Sequence, residues 1–214
     1  MGSITLEAVL PVVFSAEPPA ESGVWLRKVC FERGRFYRIE AASGAGKSSL
    51  CSYIYGTRTD YSGHLFIGDT DAAVIKPEQW QQLRRMHLAY VPQELGLFGS
   101  LTALENIELK NRLTGYAERR QIERWLAQLG IAERADWPAE RLSVGQRQRV
   151  ALIRALCQPF DFLLLDEPVS HLDSANNRLA AEMIAAEARR QGAAVISTSV
   201  GNPLVLENAE ILRL

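Results

Sequence analysis

The chain lacks the residues that would build a metal cluster or a disulfide scaffold. Its three cysteines, Cys30, Cys51 and Cys157, stand apart, with neither CxxC nor Cys/His spacing to the three histidines, His64, His87 and His171. A reducing compartment and small apolar fillers are the expectation, although spacing alone leaves open that two cysteines meet in space. Charge of one sign is lacking as well. With 24 Lys+Arg against 25 Asp+Glu the net charge is −1, so there is no basic field to draw in nucleic acid through its phosphates. The arginines between Arg112 and Arg154 are interleaved with Glu118, Glu123, Glu133, Asp136 and Glu140, which fits a solvated helical surface better than a polyanion site. No apolar run approaches the roughly 20 residues a helix needs to cross a bilayer, so the chain is not expected to enter a membrane itself. The stretch Ala8-Val9-Leu10-Pro11-Val12-Val13-Phe14 has no basic leader and lies between Glu7 and Glu17, so a first strand is expected there and not a targeting segment. Internal repeats and low-complexity stretches are missing too, and 214 residues suit one domain with room for a subdomain.

What is present is an alternation of strands and helices interrupted once. Arg35 to Glu40 has strand character, and Leu50 to Ile54 opens a helix. Ala16 to Gly23, with its paired prolines, is expected to be a loop, and Tyr61-Ser62-Gly63 a turn before a short strand from His64 to Ile67. Pro77 to Met86 can start a helix with proline in its first turn, and Leu88 to Val91 is a buried type of strand that stops at Pro92. From Thr102 to Gln158 the signals are almost wholly helical. Ile122, Trp125, Leu126 and Leu129 form one apolar stripe at i, i+3, i+4 and i+7, with Gly130 as the stop. Strand character returns at Phe162 to Leu165 and at Ala194 to Ser197, with an alanine-rich helix from Ser174 to Gln191 between them. This order predicts an α/β fold with a mostly parallel sheet flanked by helices.

The segment Ala41-Ala42-Ser43-Gly44-Ala45-Gly46-Lys47-Ser48-Ser49 sits between the strand at Arg35–Glu40 and the helix at Leu50. Strand, glycine-bearing loop and helix are the context in which backbone N–H groups and a helix N-terminus hold phosphate oxygens. Lys47 can then reach terminal phosphates, and the Ser48 hydroxyl can ligate Mg²⁺. Taken alone, the segment is also compatible with a plain Gly/Ser turn. The strict pattern begins with glycine where Ala41 stands, which costs about 1 kcal/mol if that position needs a left-handed backbone. Asp166 and Glu167 follow the apolar run Phe162 to Leu165, at the strand end where α/β sheets bind ligands. There Asp166 can hold Mg²⁺ and Glu167 can polarise an attacking water, the alternative being ordinary surface acids. Leu142 to Arg149 introduces a further helix continuing to Leu156, and a Ser and Gly at its start make either a second anion-binding end or a simple cap.

In order and over essentially its whole length, the chain resembles the ATP-binding subunits of ABC transporters. Ala41 to Ser49 resembles Walker A, Gln93 in Val91-Pro92-Gln93 the Q-loop, and Leu142-Ser143-Val144-Gly145-Gln146 the signature, with Val144 where the family usually has Gly. Leu163 to Glu167 resembles Walker B with its catalytic Glu, and Ser170-His171-Leu172-Asp173 the D-loop. Leu101-Thr102-Ala103-Leu104-Glu105-Asn106 and the short chain resemble the lipoprotein-release and macrolide-export branch.

The resemblance implies a P-loop NTPase core, about 1–93 and 158–214, with an antiparallel β part near the N-terminus and an inserted helical subdomain, about 94–157, all in one domain. It implies ATP and Mg²⁺ as ligands, with Phe14 stacking on adenine and Ser48, Gln93 and Asp166 around the metal. It implies a head-to-tail dimer, homomeric or heteromeric, in which Ser143, Val144, Gly145, Gln146 and Asp173 complete the partner's site. Transmembrane permease subunits and a peripheral place on the cytoplasmic face of the membrane follow from it as well; nucleic acid does not. The chain ends at Ile211-Leu212-Arg213-Leu214 with no regulatory extension expected. One family motif departs. Thr198-Ser199-Val200 puts Ser199 where the family carries its switch histidine, and a hydroxyl has neither the imidazole's charge nor its reach. The expectation is an ATPase whose own site binds ATP and turns over slowly, with a nucleotide-dependent binding switch as the alternative.

Overall fold

Phe162-Leu163-Leu164-Leu165-Asp166 is buried at every position, as a strand must be when both faces of its sheet are covered. The computed structural model describes residues 1–19 and 21–214; Ala20, inside the expected loop Ala16–Gly23, lies outside the described residues. In chain order the elements are β1 (Ser3–Pro11), β2 (Lys28–Glu32), β3 (Phe36–Glu40), α1 (Lys47–Ile54), β4 (Tyr61–Ile67), β5 (Thr70–Asp71), α2 (Pro77–Met86), β6 (Leu88–Val91), α3 (Ala103–Asn111), α4 (Arg119–Gln128), α5 (Val144–Leu156), β7 (Phe162–Asp166), α6 (Ser174–Gln191), β8 (Ala194–Ser199) and β9 (Glu210–Arg213). Among the described residues they form a five-stranded sheet in the order β6-β7-β8-β3-β9 and a four-stranded one in the order β2-β1-β4-β5. Every pairing in the first is parallel and every pairing in the second antiparallel.

The period of two along β7 divides the core. Leu163 and Leu165 join one apolar layer with α3, α4, α5 and α6, while Phe162 and Leu164 join the other with α1 and the antiparallel sheet. The stripe of α4 is buried as its spacing predicts, with Ile122, Trp125, Leu126 and Leu129 no more than 5% exposed, and Gly130 stops the helix at φ 63°. In the Leu101–Asn106 segment Thr102 and Glu105 form a reciprocal cap on α3. Asn106 is fully buried there, accepting from Phe98 N at 2.8 Å and donating to the carbonyls of Phe98, Leu101 and Thr102. The motif is thus a loop-to-helix clamp, and cutting Asn106 back leaves several buried groups unpaired at about 1–3 kcal/mol each.

Four local expectations change. The first strand ends at Pro11, and Val12 to Phe14 form a 3₁₀ turn. Tyr61 to Gly63 belong to β4, because β1 bulges at Ala8 (φ 51°) and its carbonyl would lie 2.3 Å from a Cβ on Gly63. Cys51 and Cys157 are buried fillers, whereas Cys30 is exposed on β2. Arg149 and Arg154 are no solvated surface: Arg149 donates to the Leu129 carbonyl at 2.7 Å and Arg154 to the Gly96 carbonyl at 2.6 Å.

Candidate nucleotide site at the strand ends

Three parallel strands, β3, β7 and β8, release their next residues side by side, and the loop after β3 curls over that edge. Gly44 (φ 80°) and Gly46 (φ 95°) take left-handed conformations that side chains disfavour. Gly46 caps α1 with no side-chain bond to the helix's first N–H groups, which leaves them available to an anion. Ala41 is not in the left-handed region, so the missing first glycine brings no backbone strain; its N–H donates to the Ser199 carbonyl at 3.4 Å. Ala42 and Ser43 are exposed on the loop, and Ala45 is half-buried. Lys47 is 5% exposed and folds back on the loop, donating to the Ala42 carbonyl at 2.9 Å, with its Nζ 3.6 Å from Glu167 Oε1. Ser48 is exposed, while Ser49 is buried and accepts from Arg58 at 2.9 Å. Phe14 and Trp25 both pack close to Gly46, where a Cβ would lie 3.1 Å from Phe14 and 3.0 Å from Trp25.

At the end of β7, Asp166 is 1% exposed. Its Oδ1 accepts from the Thr198 hydroxyl at 2.7 Å, and its Oδ2 is buried without a partner among the described residues, an arrangement suited to a cation or its bound water. The same Thr198 oxygen accepts from Glu167 N at 3.1 Å. Glu167 has φ 51°, the kink that turns its carboxylate toward Lys47. Among the described residues no cluster of three His, Cys, Asp or Glu side chains makes a metal site unaided, so a cation here draws further ligands from elsewhere. Burial, with Asp166 nearby, pushes the Cys51 thiol well up and keeps it neutral behind the site.

The remaining motif residues stand on neighbouring elements. Gln93 is exposed after β6 and lines a cavity of about 290 Å³ with Glu94, Leu97, Glu140, Val144 and Arg147. Arg154 from α5 holds the two consecutive left-handed residues that follow, Leu95 and Gly96, by their carbonyls. Ser143 and Gln146 cap α5 reciprocally, at 3.2 and 2.9 Å. Val144 is 39% exposed, and a Cβ on Gly145 would lie 2.9 Å from the His171 carbonyl. Gln148, 3% exposed, donates to Ser170 at 2.9 Å and accepts from His171 N at 3.1 Å, so the start of α5 and the segment Ser170–Asp173 form one packed unit. Asp173 caps α6 by accepting from Asn176 N at 2.8 Å. On the far side Asn202 donates to the Val169 carbonyl at 2.8 Å.

The structure therefore brings Lys47, Asp166, Glu167, Thr198 and Ser199 to one sheet edge. It does not bring Ser143 to Gln146 into that group: among the described residues no hydrogen bond or ion pair joins them to the 41–49 loop. Ser199 is 4% exposed in β8 opposite Glu40. Sequence reasoning missed Trp25, Gln148, Arg154 and Asn202. Only Trp25 carried a signal, as a large aromatic upstream of the β3–loop–α1 unit.

Comparison with known proteins gives a consistent answer. A family model described as ABC transporter matches residues 27–170. The macrolide export ATP-binding/permease protein MacB of Vibrio parahaemolyticus is 36% identical over 146 residues, which is 67% of this chain and 22% of that protein. MacB of Salmonella typhi is 32% identical over 180 residues, 83% of this chain and 28% of that protein. The chain thus spans about a quarter of the length of these curated relatives. Among solved structures, the dimeric bacterial ABC transporter cassette MJ0796 superposes with a TM-score of 0.76 at 26% identity, covering 92% of this chain and 87% of that one. A post-hydrolysis dimer of the same cassette, bound to ADP and Pi, gives a TM-score of 0.77 at 24% identity over 93% of this chain and 88% of that one.

Proposed function

The chain belongs to the ABC transporter family of ATPases, and from that premise we propose that it is an ATP-binding subunit that dimerises around nucleotide and drives a separate transmembrane export partner. The observation that carries this reading is the buried, half-satisfied Asp166 beside Glu167 and Lys47, directly under a glycine-bearing loop. In it Ala41 to Ser49 wrap the phosphates and Phe14 stacks on the adenine. Ser48, Asp166 and Gln93 would hold Mg²⁺, which would neutralise phosphate charge. Lys47 leaves the Ala42 carbonyl for a terminal phosphate, and Glu167, freed from Lys47, orients the attacking water. Ser143, Val144, Gly145 and Gln146, with Asp173 beside them, face a second subunit's nucleotide, head to tail. This accounts for a signature that makes no contact with its own loop. The division into a core, about 1–93 and 158–214, and a helical subdomain, about 94–157, places Gln93 at the joint, where it reports nucleotide state to the membrane partner. No helix among the described residues is long and apolar enough to cross a membrane, which fits peripheral attachment at the cytoplasmic face through that partner.

Ser199 favours a second element of the proposal. Without an imidazole at that position, own-site turnover is slow, and in a heterodimer this chain's signature serves a faster partner site. Sedimentation of the Glu167→Gln chain with and without ATP and Mg²⁺ tests the main reading. An ATP-dependent dimer supports it, and a monomer that fails to bind ATP refutes it.

A further inference from the structure

The peptide between Ala45 and Gly46 points its two polar groups in opposite directions, and one of them is already held. Trp25 Nε1 donates to the Ala45 carbonyl at 3.1 Å. The peptide is trans, so the carbonyl and the following N–H are antiparallel. A carbonyl drawn to the indole sends the Gly46 N–H away from Trp25, into the interior of the loop. We propose that Trp25 is a positioning residue, which locks the Ala45–Gly46 peptide in the orientation that offers the Gly46 N–H to the phosphate chain of a nucleoside di- or triphosphate. The proposal rests on the nucleotide-binding reading above.

The indole is itself fixed. Trp25 is 1% exposed, its backbone N–H donates to Ser22 Oγ at 2.8 Å, and its ring meets Tyr53 of α1 edge-on at 6.5 Å. The next residue, Leu26, is held at φ 58° by a bond from its N–H to the Val9 carbonyl at 3.0 Å. The Gly46 Cα is crowded on the same aromatic pair: a Cβ there would lie 3.0 Å from Trp25 Cζ2 and 3.1 Å from Phe14 Cε2. Turning the peptide over would break the indole bond and drive the carbonyl into the space meant for an anion. Any apolar side chain could fill this volume, but only a donor can hold the carbonyl. Because α1 has no side-chain cap, this bond is what orients the N–H at the mouth of the helix.

The test compares ADP, which has a β-phosphate, with AMP, which does not, in calorimetric titrations of the wild-type chain and Trp25→Phe. The phenyl ring keeps part of the packing and removes the donor, and the AMP titration controls for the lost volume. The expected result is about a tenfold loss of ADP affinity, the scale of one hydrogen bond to a charged group, with AMP affinity little changed. If wild type and Trp25→Phe bind ADP equally, or if ADP and AMP lose affinity together, the proposal is overturned while the nucleotide reading stands. If wild type binds no ADP, the nucleotide reading itself fails. Should Trp25→Phe not fold, the wild-type Trp25 indole proton decides by NMR. Slow exchange with solvent, with and without ADP, is the result expected, and rapid exchange overturns it.

Discussion

Two neighbouring strands of one sheet end differently. The end of β7 carries two acids, Asp166 and Glu167, and the end of β8 carries two hydroxyls, Thr198 and Ser199. The acids keep unspent valence: Asp166 Oδ2 has no partner and Glu167 has only a 3.6 Å approach to Lys47. The hydroxyl of Thr198 is spent on the Asp166 carboxylate and the Glu167 backbone N–H at once, while the loop after Ser199 is tied down by Asn202 on the Val169 carbonyl. Chemistry is concentrated on β7, then, and β8 serves it as scaffold. Under the proposed function, that imbalance is expected to slow turnover while leaving nucleotide binding in place.

The largest effect is expected from disarming the β7 acid. Glu167→Gln is expected to lower ATP turnover at least ~10²-fold while ATP still binds, read from phosphate release against equilibrium binding. Next in size is Thr198→Val, which removes the shared hydroxyl and leaves Asp166 Oδ1 and the Glu167 N–H unpaired. A loss of about 1–3 kcal/mol in denaturant unfolding is expected, with weaker Mg²⁺ dependence of ATP binding. The adjacent Ser199→Ala should stay within about 1 kcal/mol of wild type, since among the described residues its hydroxyl makes no hydrogen bond. A larger loss for Ser199→Ala than for Thr198→Val would invert the comparison.

The smallest effect concerns Asp173. Its bonds from Asn176 hold its carboxyl below the usual carboxylate range. A folded-state pKa that is depressed contributes stability above the unfolded value and loses it as pH falls through the folded one. Thermal unfolding of Asp173→Ala should therefore fall below wild type at neutral pH, with the gap closing in acid below about pH 4.

Periodicity and turn chemistry made much of this fold legible. The stripe Ile122, Trp125, Leu126, Leu129 and the run Phe162 to Leu165 gave helix and strand because burial enforces their periods. Pro77 and Gly130 marked helix boundaries for conformational reasons that act locally. β2 and β9 were illegible: Lys28 to Glu32 alternates only two inward residues, Val29 and Phe31, and Glu210 to Arg213 is a largely exposed edge. The loop and the two acids were legible because their chemistry is local in sequence. Thr198 under Asp166, Gln148 on Ser170 and Trp25 on Ala45 were not, since each pairing depends on how distant segments pack.

The slow turnover proposed here is ascribed to the hydroxyl of Ser199 at the β8 end, where an imbalance with the β7 acids is expected to limit hydrolysis. Steady-state ATP hydrolysis with Mg²⁺, wild type against Ser199→His, tests it most directly, with thermal unfolding confirming that both chains are folded. Slow wild-type turnover that rises about tenfold or more in Ser199→His is expected. Rapid wild-type turnover, unchanged by the histidine, would contradict it.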